Sequence, residues 1–326
     1  MPPLTVSRRG QLGSNPTDPA PLVPVATQYP HKMSNWPYAD SEQVGKIPQE
    51  YTLGFIGCGN LGKHVLDAIV SFYAAAENKN GRHFRPTKFI VSVGSEQSRA
   101  EVAGHFGDKV QILMKNSEVI EQAHVIVLAV KPYMLRKCVE DAALDSAKHR
   151  KIFVSLLAGT PISTIKAVID GYVVRATTNT AAKVRGAVTA LTYESENKGV
   201  AEIIEGLVGS FGTYFTVEES KQDVSIALLG SGPAFVYTFM EAMIDGALKQ
   251  GLPYDVAQKA TAQVFQGAGL MACSGIHPTV LKSQVMTPGG TTIQGVAELE
   301  YGGVRGATIK AIEKATEKAA QFSKSS

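Results

Sequence analysis

Cysteine, an excess of one charge and long apolar runs are all scarce in this chain, and each scarcity excludes a class of protein. The three cysteines at positions 58, 138 and 273 are too few and too widely spaced for a disulfide framework or a CxxC metal site. Basic residues number 32 against 29 acidic ones, which is too even for a nucleic-acid-binding surface. The longest clear apolar run, residues 125–130, falls far short of the roughly 20 residues of a membrane span. We therefore expect a soluble protein of a reducing compartment, without a metal, nucleic-acid or membrane partner.

Proline is distributed unevenly along the chain. Nine of the 16 prolines lie within residues 1–48, among Ser, Asn, Gln and Asp. Such a segment cannot bury enough apolar surface to offset the entropy of ordering it. We predict that residues 1–50 form a disordered extension. We expect a cytoplasmic location, with a mitochondrial transit peptide as the alternative reading of Arg8 and Arg9.

Residues 51–216 alternate between short apolar runs and helical segments, which predicts an α/β domain with a doubly wound, Rossmann-type parallel sheet. The predicted strands are residues 53–57, 88–93, 110–113, 124–130, 152–157 and 172–175. Residues 217–326 contain no further strand pattern. Apolar residues there recur at spacings of three and four, which predicts helices over 220–250, 253–275 and 291–322. The second domain is therefore predicted to be all helical.

A glycine motif follows the first predicted strand and opens a helix. It reads Gly57-Cys-Gly59-Asn60-Leu61-Gly62, with the spacing and context of a dinucleotide-binding loop. In such loops the first glycine permits a tight turn, the second lets a pyrophosphate approach the backbone, and the third allows close helix–strand packing. The alternative is an ordinary glycine turn.

The end of the second strand bears on the choice of dinucleotide. NAD sites usually place an acidic residue there to bond the ribose 2′-hydroxyl, whereas this chain has serines, with Ser95 and Arg99 following. Arginine suits a 2′-phosphate because its planar fork bonds two oxygens. We predict NADPH as the cofactor, with NADH as the alternative; Arg99 could equally be a solvated helix residue.

Small and polar residues also follow the later strands, at Lys131, Gly159 and Asn179, which suggests one lined cleft. In the helical region, Thr287-Pro-Gly289-Gly290-Thr291-Thr292 opens a helix. Its free backbone N–H groups and hydroxyls suit a carboxylate, although an ordinary capped helix start has the same pattern. A related segment, Gly230-Ser231-Gly-Pro233, opens another helix.

Together these segments resemble one known family, the pyrroline-5-carboxylate reductases, over residues 51–322. The matching segments, in the family's order, are residues 57–62, 129–132, 178–180, 230–234, 251–253, 277–278 and 287–293, with 302–306 similar to its Gly-Gly-Phe-Arg segment. The N-terminal extension suggests a eukaryotic, fungal-type member. The resemblance implies a dinucleotide-binding domain followed by a helical dimerisation domain, and a homodimer or a larger homo-oligomer. It implies NADPH-dependent reduction of 1-pyrroline-5-carboxylate to L-proline, the last step of proline biosynthesis.

The resemblance also implies site residues. Cofactor residues fall on the glycine loop and on Ser95, Asn116, Val130, Lys131 and Ala158; Arg99 and Gly159 join them from their positions after strands. Substrate residues fall on Asn179, Glu219, Gln284, Thr287, Gly289, Gly290, Thr291 and Thr292. Thr292 is expected nearest the ring nitrogen and, with Ser231, forms the pair of catalytic candidates. No side-chain general acid is evident, so we expect the imine to arrive protonated or to take its proton from solvent.

The chain departs from the family's pattern at several positions, and these departures bear on the choice of substrate. Thr177 stands where methionine is common and Ala181 where proline is common. Leu229 and Thr287 each replace the usual serine, and Ser283 replaces the usual aspartate. Two alternatives therefore stay open. One is a related NADPH-dependent reductase of another cyclic imine carboxylate. The other is an NADPH-binding sensor without catalysis.

Overall fold

One eight-stranded sheet organises the N-terminal part of this computed structural model, which describes residues 47–75, 84–140 and 151–325. Most of the predicted N-terminal extension lies outside the described residues. The strands are β1 Glu50–Ile56, β2 Arg85–Ser92, β3 Gln111–Leu113, β4 Val125–Leu128, β5 Ile152–Ser155, β6 Tyr172–Thr177, β7 Ala187–Tyr193 and β8 Gly212–Thr216. Their spatial order is β3-β2-β1-β4-β5-β6-β7-β8.

The pairing between strands places several carboxyl ends along one edge of the sheet. Strands β1 to β6 all pair in parallel, so their carboxyl ends share an edge. The strand order reverses direction between β1 and β4, which creates a crevice of the kind where dinucleotides bind. The expected Rossmann-type doubly wound sheet is confirmed.

Two strands of the sheet were not predicted. β7 runs antiparallel to β6, and β8 pairs in parallel with β7. The sequence of β7, Ala-Val-Thr-Ala-Leu-Thr-Tyr, has neither a continuous apolar run nor strict alternation. Its buried threonines are instead satisfied by side-chain hydrogen bonds, a stabilisation that periodicity does not reveal.

Helices cover both faces of the sheet and give it two apolar cores. They are α1 Asn60–Ala74, α2 Glu96–Phe106, α3 Asn116–Gln122, α4 Leu135–Glu140, α5 Ile162–Lys166 and α6 Lys198–Val208. α1 and α6 bury residues such as Leu66 and Ile204 on one face, whereas α3 and α5 bury Val119 and Ile165 on the other. Because helices cover both faces of the sheet, β4 is buried on both sides and is apolar at every position.

After β8 the described chain is helical. The helices are α7 Gln222–Ser225, α8 Gly232–Lys249, α9 Tyr254–Cys273, α10 Pro278–Gln284, α11 Thr291–Tyr301 and α12 Val304–Ser325, with a π-helical segment at Ile226–Gly230. The prediction of a single helix over residues 291–322 is wrong, because the structure has two helices there. Gly303 takes a φ of +69°, and this left-handed residue ends α11 and redirects the chain into α12.

The C-terminal helices leave much apolar surface uncovered. Among the described residues, α8, α10 and α11 contain no buried residue, and α9 buries only Ala257 and Thr261. The stretch Glu219–Lys249 is also long and apolar enough to cross a membrane, by length and composition only, and little of it is buried. By length and composition, this stretch contradicts the expectation that no segment approaches a membrane span. A helical layer without its own core requires a partner surface.

Candidate functional site

Three glycines shape the loop between β1 and α1. Gly57 has a φ of +85°, and a Cβ there would lie 2.6 Å from Val130 Cγ1. A Cβ on Gly62 would lie 2.9 Å from Ala129 Cβ. A Cβ on Gly59, in contrast, would meet nothing within 4 Å. The loop is thus packed tightly against the two residues that follow β4 and is open on its outer side, the shape that lets a pyrophosphate approach the backbone.

The start of α1 has the electrostatics for an anion. It carries no side-chain cap and no acidic residue in its first turn, so its first N–H groups and positive dipole end remain available. Asn60 is exposed, whereas Leu61 packs against the core. Burial raises the pKa of the Cys58 thiol to about 11, with a smaller opposing effect of Lys63. Cys58 therefore adds no negative charge at neutral pH.

The start of α2 supplies the groups predicted for a 2′-phosphate. Ser95 caps the helix by accepting from Ser98 N at 3.2 Å, and its hydroxyl donates to Ser98 Oγ at 3.0 Å. Arg99 lies 3.5 Å from Glu96 with both side chains exposed. Because exposed ion pairs are weak, a phosphate could readily replace Glu96 as the partner of Arg99.

Asn116 joins the ends of two elements at the same edge. Its Oδ1 accepts from the Ser92 hydroxyl at 2.7 Å, and its Nδ2 donates to the Cys138 carbonyl at 3.0 Å. Both polar ends of the side chain are therefore used within the protein. In this arrangement Asn116 fixes the start of α3 beside the end of β2.

The residues that follow β4 and β5 divide into exposed and packed ones. Lys131 and Ala158 are exposed at the carboxyl edge, and Val130 packs beside Gly57. Gly159 is buried with a φ of +68°, and a Cβ there would lie 2.6 Å from Phe322 Cβ. The last turns of α12 thus pack onto the Gly159 turn, where the sequence predicts a cofactor contact.

Consecutive polar side chains at the end of β6 are all anchored internally. The Thr177 hydroxyl donates to Gln222 Oε1 at 2.6 Å, and Thr178 Oγ1 accepts from Thr189 at 3.0 Å. Asn179 donates from Nδ2 to the Leu229 carbonyl at 3.1 Å and accepts from Ala181 N at 3.0 Å. The predicted substrate role of Asn179 stays a prediction, and its side chain already has two partners in the protein.

Glu219 lies beside a buried arginine. Its Oε1 accepts from Ile162 N at 2.7 Å and lies 3.5 Å from Arg175 Nη1. Asp223 lies 3.7 Å from the same guanidinium and accepts from the Ser323 hydroxyl at 2.9 Å. Burial lowers the pKa of Arg175, and the two carboxylates counteract that effect. This charge cluster ties β6, α5 and α12 together near the carboxyl edge.

The predicted carboxylate turn lies between α10 and α11. Gly289 has a φ of +70°, and Gly290 N donates to the Thr287 carbonyl at 3.0 Å. Gly290 begins α11 without a side-chain cap, so N–H groups in the first turn remain available. Thr287 and Thr291 are exposed, and Thr292 is half-buried.

The other predicted residues of the helical domain lie at the ends of two further helices. Gln284 ends α10 and is exposed, and the half-buried Ser231 precedes α8. In the described residues, α10 packs mainly on α9 and α11 on α12, and neither makes an extensive contact with a strand. The single chain therefore does not bring the 287–292 turn onto the carboxyl edge of its own sheet.

Gln222 and the charge cluster around Arg175 were not predicted, although Arg175 begins the polar segment 175–180 at the end of a predicted strand. Arg175 interrupts an apolar strand, and a charged residue at such a position indicates a buried, paired group. Gln222 has no comparable signal, since it follows a polar stretch and its complete burial arises only from tertiary packing.

Comparison with known proteins follows the same division of the chain. A family model described as "Pyrroline-5-carboxylate reductase dimerisation" matches residues 219–322, and one described as "NADP oxidoreductase coenzyme F420-dependent" matches residues 52–159. The chain is 34% identical over 307 residues to a pyrroline-5-carboxylate reductase of Lophium arboricola, covering 86% of this chain and 96% of that protein.

Two solved structures have a similar fold. A pyrroline-5-carboxylate reductase from Coxiella burnetii is 27% identical with a TM-score of 0.72, covering 83% of this chain and 98% of that one. The Plasmodium falciparum pyrroline carboxylate reductase with NADP bound is 22% identical, with a TM-score of 0.72, and covers 85% of this chain and 100% of that one. The second comparison supports the fold alone.

Proposed function

The chain belongs to the pyrroline-5-carboxylate reductase family, and we propose that it reduces the C=N bond of 1-pyrroline-5-carboxylate to L-proline with NADPH. The observation that carries this proposal is the glycine loop at the switch point of the sheet, closed against β4 and open where a pyrophosphate would lie. We also propose that the enzyme acts in the cytoplasm.

The residues of the carboxyl edge fit a phosphorylated dinucleotide. Backbone N–H groups of residues 59–62 would receive the pyrophosphate, and Ser95, Ser98 and Arg99 would receive the 2′-phosphate. Lys131 and Ala158 are the exposed residues farther along the edge. The bound cofactor supplies the hydride, and the protein orients and electrostatically tunes the reaction.

The 287–292 turn suits the carboxylate of the substrate. Gly289 and Gly290 carry no side chains, so the first N–H groups of α11 can receive two carboxylate oxygens. Thr292 is the second residue of α11, and its hydroxyl can hold the ring nitrogen directly or through water. Fixing both groups orients the imine carbon toward the cofactor, and such positioning supplies much of the rate. The proton comes with the protonated imine or from solvent.

This arrangement requires a second copy of the chain. The carboxylate turn does not pack on its own sheet in the described residues, and the helical layer around it lacks a core. A homodimer through α8 to α11 would cover the apolar surface and could place the turn of one protomer over the carboxyl edge of its partner. The family model for dimerisation covers these same helices.

Turnover by the purified protein tests the activity. NADPH oxidation is followed with 1-pyrroline-5-carboxylate, with 1-piperideine-2-carboxylate and without an imine, and the product is identified as proline by mass spectrometry. Fast turnover of the first imine supports the proposal, and faster turnover of the second would assign the chain to another imine. NADPH binding without turnover would favour the sensor. Thr292→Ala should lower kcat/KM, and an unchanged value would contradict the role of Thr292.

A further inference from the structure

Gln222 is a completely buried polar side chain between the two domains. It has no exposed surface in the structure. Its Nε2 donates to Thr192 Oγ1 at 2.8 Å and to the Ala190 carbonyl at 3.3 Å, both on β7. Its Oε1 accepts from the Thr177 hydroxyl at 2.6 Å at the end of β6. A buried amide is tolerated only when its polar atoms are paired, and the Thr177 hydroxyl is the side-chain donor that pairs Oε1.

Thr177 begins the anchored segment at the carboxyl end of β6. The next two residues are held by Thr189 and by the Leu229 carbonyl. Thr177 is also one of the positions where the chain departs from the family's pattern. Its hydroxyl is directed toward Gln222, so the departure is accommodated by a partner inside the protein.

Gln222 is the first residue of α7 and precedes the helices that carry the predicted substrate residues of the second domain. α7 leads directly into the π-helical segment at Ile226–Gly230 and then to Ser231. A shift of Gln222 would therefore move the backbone that carries Ser231. The bond between Thr177 and Gln222 joins that backbone to the strand end that borders the cleft.

We propose that Thr177 and Gln222 are a matched pair of positioning residues, which fix the end of β6 against α7 and thereby set the affinity for the imine carboxylate. This inference rests on the proposed reductase activity. Neither side chain is assigned a contact with the reacting atoms. Their effect is transmitted through Asn179 and Ser231, whose backbone positions depend on the pair.

A double-mutant cycle tests the pairing. Thr177→Val removes the hydroxyl at nearly constant volume, Gln222→Met removes the amide, and the combined variant removes both. Either single change should raise KM for 1-pyrroline-5-carboxylate about tenfold and change the Kd for NADPH by less than about twofold, since the glycine loop is untouched. The second change should add little to the first, because contacting residues are not additive. Thr177→Ser restores the hydroxyl and should restore KM.

A matched control separates positioning from general destabilisation. Ser210 is also buried, and its hydroxyl donates to the Leu207 carbonyl at 2.6 Å, but it precedes β8 and does not contact the cleft. Ser210→Ala should lower Tm by a few degrees, as Thr177→Val should, and leave KM unchanged. If the valine variant fails to fold, Gln222→Asn takes its place, because it keeps an amide that no longer reaches Thr177.

Three results would overturn the inference. They are an unchanged KM in the folded Thr177 and Gln222 variants, effects on KM that add in the combined variant, and an equal rise of KM in Ser210→Ala. The failure of the proposed function is a separate outcome, since it would appear as absent turnover of 1-pyrroline-5-carboxylate by the unmodified enzyme.

Discussion

Gly59 has no side chain, and the open space beside its backbone is where we expect the cofactor to lie. Its backbone has a φ of −69°, which any residue adopts, and nothing in the protein lies where its Cβ would be. The fold therefore does not require glycine there, and we expect the requirement to come from the bound ligand. Gly57 differs, because its positive φ and its contact with Val130 are demands of the fold itself.

Substitution of the two glycines should separate binding from stability. Gly59→Ala should keep Tm within about 2 °C and weaken NADPH binding more than about tenfold, because the methyl group would meet the pyrophosphate. Gly57→Ala is the matched change, and we expect it to destabilise the fold by about 2–4 kcal/mol. Thermal unfolding and fluorescence titration with NADPH measure both effects. Equal loss of Tm in the two variants would contradict this division.

Glu205 gives the protein a stability that depends on pH. It lies on α6 and accepts from the Tyr214 hydroxyl at 3.0 Å. Burial raises its pKa above the ordinary value of 4.5, and the hydrogen bond opposes the rise. A carboxyl group with a raised pKa in the folded state favours folding while protonated, and this contribution is lost as the pH rises through that pKa.

We expect Glu205→Gln to raise Tm at about pH 7 and to have less effect near pH 4. Glutamine is neutral throughout and can still accept from Tyr214. Thermal unfolding across this range measures the difference, and the exposed neighbour Glu202 supplies the control through Glu202→Gln. A glutamine variant less stable at neutral pH would show that the charged form of Glu205 stabilises the fold.

Residue conformations were predictable where they depend on local order along the chain. The glycine loop follows from spacing and strand context, and the structure has the open and closed sides that the spacing implies. The partners of Asn179 and Glu219 were not predictable, because they lie 50 and 57 residues away in the sequence. Local patterns carry no information about such contacts.

At the scale of elements, the π-helical segment depends on one distant side chain. The carbonyl of Leu229 would pair with the N–H of residue 233 in a regular α-helix, but residue 233 is proline and has none. Asn179 Nδ2 supplies the missing donor at 3.1 Å. The end of β6 thus satisfies a group that the helix cannot satisfy itself.

Asn179→Asp should therefore destabilise the protein by about 1–3 kcal/mol. Aspartate can still accept from Ala181 N, but it cannot donate to the Leu229 carbonyl when ionised. Chemical denaturation measures the free energy of unfolding. Asn197→Asp is the control, because Asn197 caps α6 by accepting from Val200 N at 3.0 Å, a role that aspartate also performs. Equal stability of the Asn179 variant would show that the carbonyl has another donor.

Elements with strong periodicity were the most predictable. The buried parallel strands and the long helices of the second domain follow from apolar runs and helical spacing. β7 was missed because its buried threonines read as polar, and the break between α11 and α12 was missed because the φ of Gly303 is a tertiary outcome.

At the scale of the molecule, the exposed helical layer predicts association. Val236 and Met243 are seven residues apart on α8 and are 40% and 47% exposed, so they share one face of the helix. Replacing both with glutamate should give monomers that still bind NADPH but have little turnover. Light scattering and activity at equal concentration measure this effect. Val184→Glu, an equivalent change on the first domain where Val184 is 53% exposed, should leave the oligomer intact.

A site shared between two protomers predicts more than association alone, because two impaired variants should then complement each other. Gly59→Ala disables the cofactor loop, and Thr292→Ala disables the carboxylate turn. In a mixed dimer, one site combines both defects and the other combines the intact loop of one chain with the intact turn of its partner. When equal amounts of the two variants are refolded together, random reassortment makes half of the dimers mixed. Only one of the two sites in each mixed dimer is intact, so about a quarter of the wild-type activity should return. If each chain built its site alone, every site in the mixture would carry one defect, and co-refolding would restore nothing.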